Sequence, residues 1–342
     1  MAACLYDPDD GFFATGPVRS TKDGDFLTSP EVSPWFGRML ARFVAAEQAR
    51  TGTTPFHVVE VGAGSGSLIR QVARGGATSY ELRAESPIDS MEFSAVEASP
   101  AARLALGELL GSGRVHDSMD GLPGRFDGVI LANELLDNLP VALAIRSGDG
   151  WVERWVGATD DRFGFVTNPA RPEVVAWCDA YAGTVPEGGM VEVQLAATAW
   201  VGDALGRIDH GALLLIDYGG TAEELEPRRT QGTLRTYRSH HLGPDPLLEP
   251  GATDVTVDVN FTAMAAAAAG CGAEVEIHRQ DDFLAALGLR EIISDLRHRE
   301  RDLARSGDAM ERLVVRSEVT DAETLLHPRG LGDFRVLVAR RI

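Results

Sequence analysis

The sequence is poor in lysine, in cysteine and in long apolar runs. Lys22 is the single lysine, and 32 Lys+Arg stand against 51 Asp+Glu, a formal net charge of −19. A surface of that sign repels nucleic acid and anionic lipid, so no nucleic-acid partner is expected, while a cationic substrate is easily accepted. The three cysteines, Cys4, Cys178 and Cys271, lie far apart with no C-x-x-C pair. That excludes a disulfide framework and a thiolate metal centre, so no metal is expected. Met1 to Pro8 has neither the basic nor the apolar region of a secretory leader, and a cytoplasmic location is expected. The longest alanine-rich run, Met264 to Gly270, is far short of the roughly 20 residues that cross a bilayer, so no membrane insertion is expected.

What is present is an ordinary globular composition, 44% apolar over 342 residues. One enlarged α/β domain, or a core with a smaller insertion, is the natural expectation. Residues 1 to 34, rich in Gly, Pro, Asp and Ser, read as loop. Pro34 to Arg50 has helical spacing through Phe36, Leu40, Phe43 and Val44. Short apolar runs at Phe56–Val61, Phe93–Glu97 and Phe126–Ala132 predict strands. Ser67 onward and Pro100–Leu110 predict the helices between them. This alternation argues for a mostly parallel sheet with helices on both faces. Trp151–Val156 and Arg162–Val166, flanking Asp160-Asp161, read as a β-hairpin that opens an insertion. The rhythm resumes with a helix at Ala196–Ile208 and a strand at Ala212–Tyr218. Gly219 to Asn260 is long, polar and without periodicity, the mark of a functional or disordered loop. A helix at Phe261–Ala269, a strand at Ala273–Arg279, helix over much of Asp281–Arg305 and a last strand at Phe334–Ala339 complete the pattern.

The most informative stretch is Glu60-Val61-Gly62-Ala63-Gly64-Ser65-Gly66. A strand runs into three alternating glycines and then a helix, so a ligand can approach the backbone closely at a helix N-terminus. The dinucleotide fingerprint G-x-G-x-x-G needs glycine where Ser67 stands. Glu60, two residues before the loop, is awkward for a pyrophosphate. It suits an ammonium group such as the methionine end of S-adenosylmethionine (SAM). Both features disfavour a nicotinamide cofactor. Glu97 closes the second strand, where a carboxylate either accepts both ribose hydroxyls or is merely solvated. Asp117, after a presumed third strand, either accepts from an adenine amino group or is solvated.

Asn133-Glu134-Leu135-Leu136-Asp137-Asn138-Leu139-Pro140 follows the fourth strand, at the edge where ligands of open α/β sheets bind. In a helical turn, Glu134 and Asp137 share a face. Two carboxylates there can hold a guanidinium by forked, charge-assisted hydrogen bonds. The plainer reading is that Asp137 caps the turn and Glu134 closes the cofactor site. The segment is not the N-P-P-[YF] of base amino-methylating enzymes. Asp217 and Tyr218 end the fifth strand and could line the cleft, and Tyr218 equally could pack. The paired His240-His241 has no acid or cysteine at metal-ligand spacing, and Arg290–Arg305 alternates with acids as a solvated helix face does.

At this point the chain resembles the MidA-like methyltransferases, relatives of a mitochondrial complex I assembly-factor arginine methyltransferase. The match runs from about Leu5 to Ala339. It rests on Leu5-Tyr6-Asp7-Pro8-x-x-Gly11-Phe12-Phe13, Gly24-Asp25-Phe26-x-Thr28-Ser29-Pro30-Glu31-Val32-Ser33-Pro34 and the glycine loop. It continues through Asn133-Glu134-Leu135-Leu136-Asp137, Leu215-Ile216-Asp217-Tyr218-Gly219, Gly232-Thr233-Leu234-Arg235-x-Tyr237 and Asp254-Val255-Thr256-x-x-Val259-x-Phe261-Thr262. The resemblance implies a class I Rossmann-like SAM methyltransferase with an inserted hairpin and helix. Its parts would be a cover at 1–50, a SAM-binding half at 51–150, an insertion at 151–195, and the remaining core at 196–342 with a substrate-cleft insertion at 219–260. It implies that Gly24, Asp25, Phe26, Thr28 and Ser29 fold over the cofactor, and that Glu60, Gly62, Gly64, Gly66, Glu97, Asp117 and Asn133 line it. Glu134, Asp137 and Asn133 are the expected catalytic residues, and a protein arginine, in one version on a respiratory-complex subunit, is the expected substrate. A small-molecule methyltransferase and a SAM-binding assembly factor or chaperone without turnover are the alternatives. Three departures stand out. Family members usually begin with a further helix, the family's V-D-F is Val259-Asn260-Phe261, and Asp258 stands where histidine is common.

Overall fold

The structure is a computed structural model that describes residues 1–15, 28–75, 91–159, 162–238 and 241–342. The expected loop over 1–34 contains two short helices, α1 (Ala2–Tyr6) and α2 (Ser29–Val32). The first forms because Leu5 is fully buried with Phe12 and Val255, a tertiary contact that local composition does not reveal. Helix α3 (Pro34–Thr51) begins at Ser33, whose side chain caps Trp35 N–H, and stops at Gly52 in the left-handed region. Strand β1 (Phe56–Val61), helix α4 (Ser67–Ala73), strand β2 (Met91–Val96), helix α5 (Pro100–Leu110), strand β3 (Val115–His116) and strand β4 (Phe126–Asn133) follow as expected.

The insertion starts earlier than residue 151. Strand β5 (Ala142–Ser147) precedes the hairpin β6 (Gly150–Thr159) and β7 (Arg162–Pro169). After α6 (Pro172–Tyr181), β8 (Met190–Val193) closes an antiparallel sheet of order β7-β6-β5-β8. Asp160 and Asp161, the expected turn, lie outside the described residues. Helix α7 (Leu195–Gly206) leads into β9 (Ile208–Asp217).

The polar segment after β9 is not structureless. It holds β10 (Gly219–Gly220), α8 (Ala222–Leu225), β11 (Arg235–Arg238), β12 (His241–Leu242), β13 (Asp254–Thr256) and β14 (Val259–Asn260). β12, β11 and β13 form a small antiparallel sheet. Its strands are too short to carry a readable period. His240 lies outside the described residues, and His241 is exposed on β12. The chain ends with α9 (Phe261–Gly270), β15 (Glu274–Arg279), α10 (Gln280–Ala286), α11 (Leu289–Ser306), α12 (Ala309–Leu325) and β16 (Arg335–Arg341). Arg297 and Arg299 of α11 pair with Glu323 and Glu311 of α12, so part of the expected solvated face is an inter-helix seam.

The central sheet has the order β15-β16-β9-β4-β1-β2-β3. All strands are parallel except β16, which runs against both neighbours. Side chains alternate between two cores. Val129, Leu131, Leu214 and Val336 face α3, α11 and α12, whereas Ile130, Ala132, Leu213 and Leu337 face α7 and α9. Burial on both faces makes each central strand a continuous apolar run, which is why the sequence reveals them. Among the described residues no helix is long and apolar enough to cross a membrane.

Candidate active site

Two cavities open beside the carboxyl ends of these strands and share Glu134 and Asn138 as lining residues. The first encloses about 410 Å³. Of the residues expected at a cofactor, Thr28, Glu60, Gly62, Gly64, Glu97, Asp117 and Asn133 line it. Gly66 and Ser29 do not line it, and Gly24, Asp25 and Phe26 lie outside the described residues.

The loop shape requires its glycines. Gly62, Gly64 and Gly66 have φ of 73°, 49° and 74°, in the left-handed region. A Cβ on Gly66 would stand 2.7 Å from Leu106 Cδ2, inside van der Waals contact. The neighbouring acids are already engaged with backbone. Glu97 accepts the Gly64 N–H at 2.7 Å and the Ser99 N–H at 2.7 Å, one on each oxygen. It thereby ties the loop to the start of α5. Each oxygen keeps a lone pair for a further donor. Glu60 accepts the Ile69 N–H at 2.9 Å from the first turn of α4. Its burial holds the carboxyl well above the usual range, against the pull of that N–H. Asp117 is exposed at the rim, where it accepts the Ser118 hydroxyl at 3.2 Å. Asn133 Oδ1 is buried without a hydrogen-bond partner.

Glu134 is the hinge between the cavities. It is the single non-glycine residue with positive φ, 52°, among the described residues. A left-handed glutamate is strained, and such strain persists where surrounding contacts over-determine it. Here its N–H donates to Ile216 O at 2.8 Å, while Oε1 accepts from Ser29 N–H at 3.3 Å and Asn133 Nδ2 at 3.1 Å. Burial, and then the Asp137 carboxylate, push its pKa up to about 8.

The second cavity is about 570 Å³. Glu134 and Asp137 both line it, but not from a shared helical face: the turn is a single 3-10 turn, Leu136–Asn138, and Glu134 precedes it in the left-handed region. Asp217, at the end of β9, holds that turn by accepting the Leu136 and Asp137 N–H groups at 3.0 and 3.3 Å. Asp137 Oδ2 accepts the Tyr218 hydroxyl at 2.6 Å, and Oδ1 is buried with no partner. Burial pushes Asp137 up to about 6, opposed by the Tyr218 hydroxyl. Tyr218 both lines the cavity and packs, its ring edge-on to Phe334 at 5.7 Å.

Sequence reasoning gave no role to Tyr6, Asn138 or Asp254. Tyr6 lines the first cavity and donates to Asn138 O at 3.3 Å, and Asn138 Nδ2 donates to Asp254 Oδ1 at 2.9 Å. Burial, with Asp137 and Asp254 nearby, raises the Tyr6 pKa. Tyr6 and Asp254 sit inside the family motifs Leu5-Tyr6-Asp7-Pro8 and Asp254-Val255-Thr256, the signal that points to them. Of the departures, Asn260 lines neither cavity. It caps α9 by accepting Ala263 N–H at 3.2 Å and donates to Tyr181 O at 2.8 Å, both within reach of an amide. Asp258 does line the second cavity, between Arg228 and Arg235.

A parallel sheet with one antiparallel strand, a glycine loop after β1 and acids after β2 and β4 define a class I methyltransferase site. Residues 39–279 match the family described as "Putative S-adenosyl-L-methionine-dependent methyltransferase", and the chain belongs to it. A Burkholderia thailandensis protein crystallised with S-adenosyl-homocysteine bound is 30% identical, with a TM-score of 0.83 over 99% of this chain and 86% of that one. Among curated relatives, the mitochondrial protein arginine methyltransferase NDUFAF7 homolog of Drosophila melanogaster is 28% identical over 76% of this chain and 63% of its own length. The protein arginine methyltransferase NDUFAF7 of Homo sapiens is 26% identical over 84% of this chain and 69% of its own. The chain thus spans less than two thirds of the fly relative. SAM is the cofactor of this chain.

Proposed function

We propose that the chain transfers a methyl group from SAM to a guanidinium nitrogen of a protein arginine. The observation that carries this is the position of Glu134, which lines both the glycine-loop cavity and a second cavity floored by Asp137 and Asp254. The first cavity suits SAM by its set of acceptors. Glu97 keeps lone pairs for ribose hydroxyls, Asn133 Oδ1 and Glu60 face an ammonium group, and Asp117 stands at the rim for an adenine amino group. SAM, when bound, supplies an electrophilic methyl on a sulfonium, and the remaining demands fall on the protein.

Those demands are alignment and charge. In this reading the substrate guanidinium enters the second cavity and donates to the free oxygen of Glu134, with the buried Asp137 carboxyl supplying negative charge beside it. Asp217 fixes the turn and the Tyr218 hydroxyl fixes Asp137 Oδ2, so the floor is positioned before substrate arrives. The acids orient one nitrogen toward the first cavity and stabilise the positive charge that grows as the N–CH3 bond forms. The electron pair of the broken S–CH3 bond leaves with S-adenosyl-homocysteine, and the proton lost by the methylated nitrogen passes to the ionised Glu134 carboxylate. A cation beside Glu134 also offsets the burial that keeps it protonated, so binding draws its proton off. The curated relatives named as arginine methyltransferases support the substrate class. The acidic floor supports it over a small neutral acceptor. The test is Glu134→Gln with labelled SAM and cell lysate. Loss of labelled protein with retained S-adenosyl-homocysteine binding supports the reading, and undiminished labelling defeats it.

A further inference from the structure

The mouth of the second cavity has a charge opposite to its floor. Arg228 on the turn Glu226–Arg228, Arg235 on β11 and Arg329 after α12 all line it. Two distant parts of a chain with net charge −19, around 228–235 and at 329, bring arginines to one opening. Arg228 and Arg235 share a single buried carboxylate, Asp258, which accepts from Arg228 on Oδ2 and from Arg235 on Oδ1 at 3.0 Å. Both arginine side chains remain 44% and 39% exposed. Each guanidinium has five N–H donors, so each keeps donors to spare. Arg329 is exposed, and among the described residues its side chain has no hydrogen bond or ion pair. Asp333, the remaining acid at this end, is held by Arg279 and Arg335, neither of which lines the cavity. Arg279 and Arg335 also pair with Asp281 and Glu224, so three guanidinium groups against Asp258 and Asp333 leave the mouth with an excess of positive charge above the acids of the floor.

We propose, on the arginine reading above, that this mouth is a carboxylate subsite and that the enzyme takes an arginine with an acidic side chain close beside it in the substrate. The floor of Glu134 and Asp137 receives the target guanidinium, and Arg235 and Arg329 receive the neighbouring Asp or Glu by forked hydrogen bonds. An extended peptide advances about 3.3 Å per residue, so a cavity of this size places the acid within about three residues of the target. The same charges turn away segments rich in several arginines, because the extra guanidinium groups meet like charge at the entrance. Substrate selection therefore runs opposite to what the net charge of the chain alone suggests.

The test labels natural substrates. The full chain is incubated with SAM carrying an isotopically heavy methyl and a lysate of source cells lacking the gene, and labelled sites are mapped by mass spectrometry. The expected sites are arginines with Asp or Glu within about three residues. Arg329→Glu is expected to lower labelling there by about fivefold or more, without weakening S-adenosyl-homocysteine binding. Labelled arginines in basic segments without a neighbouring acid, or undiminished labelling by Arg329→Glu, overturn the subsite and leave the arginine reading standing. Label on another residue type, or on no protein, overturns the arginine reading and the subsite together.

Discussion

The two cavities differ in how their acids are used. On the glycine-loop side Glu60 and Glu97 are already bonded to backbone N–H groups of Ile69, Gly64 and Ser99. Those acids hold the loop in shape first and meet a ligand second. On the other side Asp137 keeps an oxygen without a partner, and Glu134 sits in a strained conformation. On the proposed reading these are the acids that receive a cation. The first cavity then receives one invariant molecule, and the second receives the substrate cation.

Breaking this contrast should give effects of graded size. Glu134→Gln is expected to cut methyl transfer by about 10²–10³-fold, the usual cost of removing one preorganised electrostatic group. Its affinity for S-adenosyl-homocysteine should stay within about threefold, because Gln still accepts from Ser29. Glu97→Ala removes two charge-assisted bonds and should weaken S-adenosyl-homocysteine binding by about 10–100-fold in calorimetry, with turnover at saturating SAM largely kept. If Glu97→Ala leaves binding intact, the loop holds its shape by glycine geometry alone. Gly66→Ala forces φ 74° on a residue with a Cβ against Leu106, and should cost about 1–2 kcal/mol, read as a lower Tm. Tyr218→Phe is the smallest change. It removes the hydroxyl on Asp137 Oδ2, so it should raise the Asp137 pKa and reduce kcat/KM by up to about tenfold, mostly at low pH.

The pH profile sharpens the same comparison. Glu134 is pushed up to about 8, so in the free enzyme it is protonated below that pH. A guanidinium binds best to the ionised form, so kcat/KM should rise between pH 6 and pH 8 and level above. The sign for stability is the reverse. Between its unfolded value of 4.5 and its folded value of about 8, this carboxyl binds more protons folded than unfolded, so its contribution to stability falls as pH rises through that window. A profile of kcat/KM unchanged in Glu134→Gln would assign the limb to another group.

What was legible in the sequence follows the same division. The glycine loop is contiguous, Gly62 to Gly66, and each glycine has a local reason, so pattern alone reveals it. Glu97 is legible because strand ends are. The second cavity is assembled from residues 134, 137, 218, 254 and 258, brought together by β4, β9 and the small sheet of β11 and β13. Glu134 and Asp137 could be paired because three residues separate them. Asp254 could not, since it reaches the site through a three-residue strand inside what reads as an aperiodic loop. Strands β5 and β8 escaped for a similar reason. Ala142–Ser147 and Met190–Val193 are short and take their register from β6 and from each other, not from a local signal.

The measurement that bears most directly on Glu134 as the shared wall is paired. S-adenosyl-homocysteine is titrated calorimetrically into the wild-type chain and Glu134→Gln, and the same two proteins are assayed for methyl-arginine by mass spectrometry after incubation with SAM and lysate. The predicted result is saturable binding by both, within about threefold of each other, and methyl-arginine from the wild type alone. Methyl-arginine formed equally by Glu134→Gln, or cofactor binding lost with it, would contradict the assignment of Glu134 to the guanidinium side of the site.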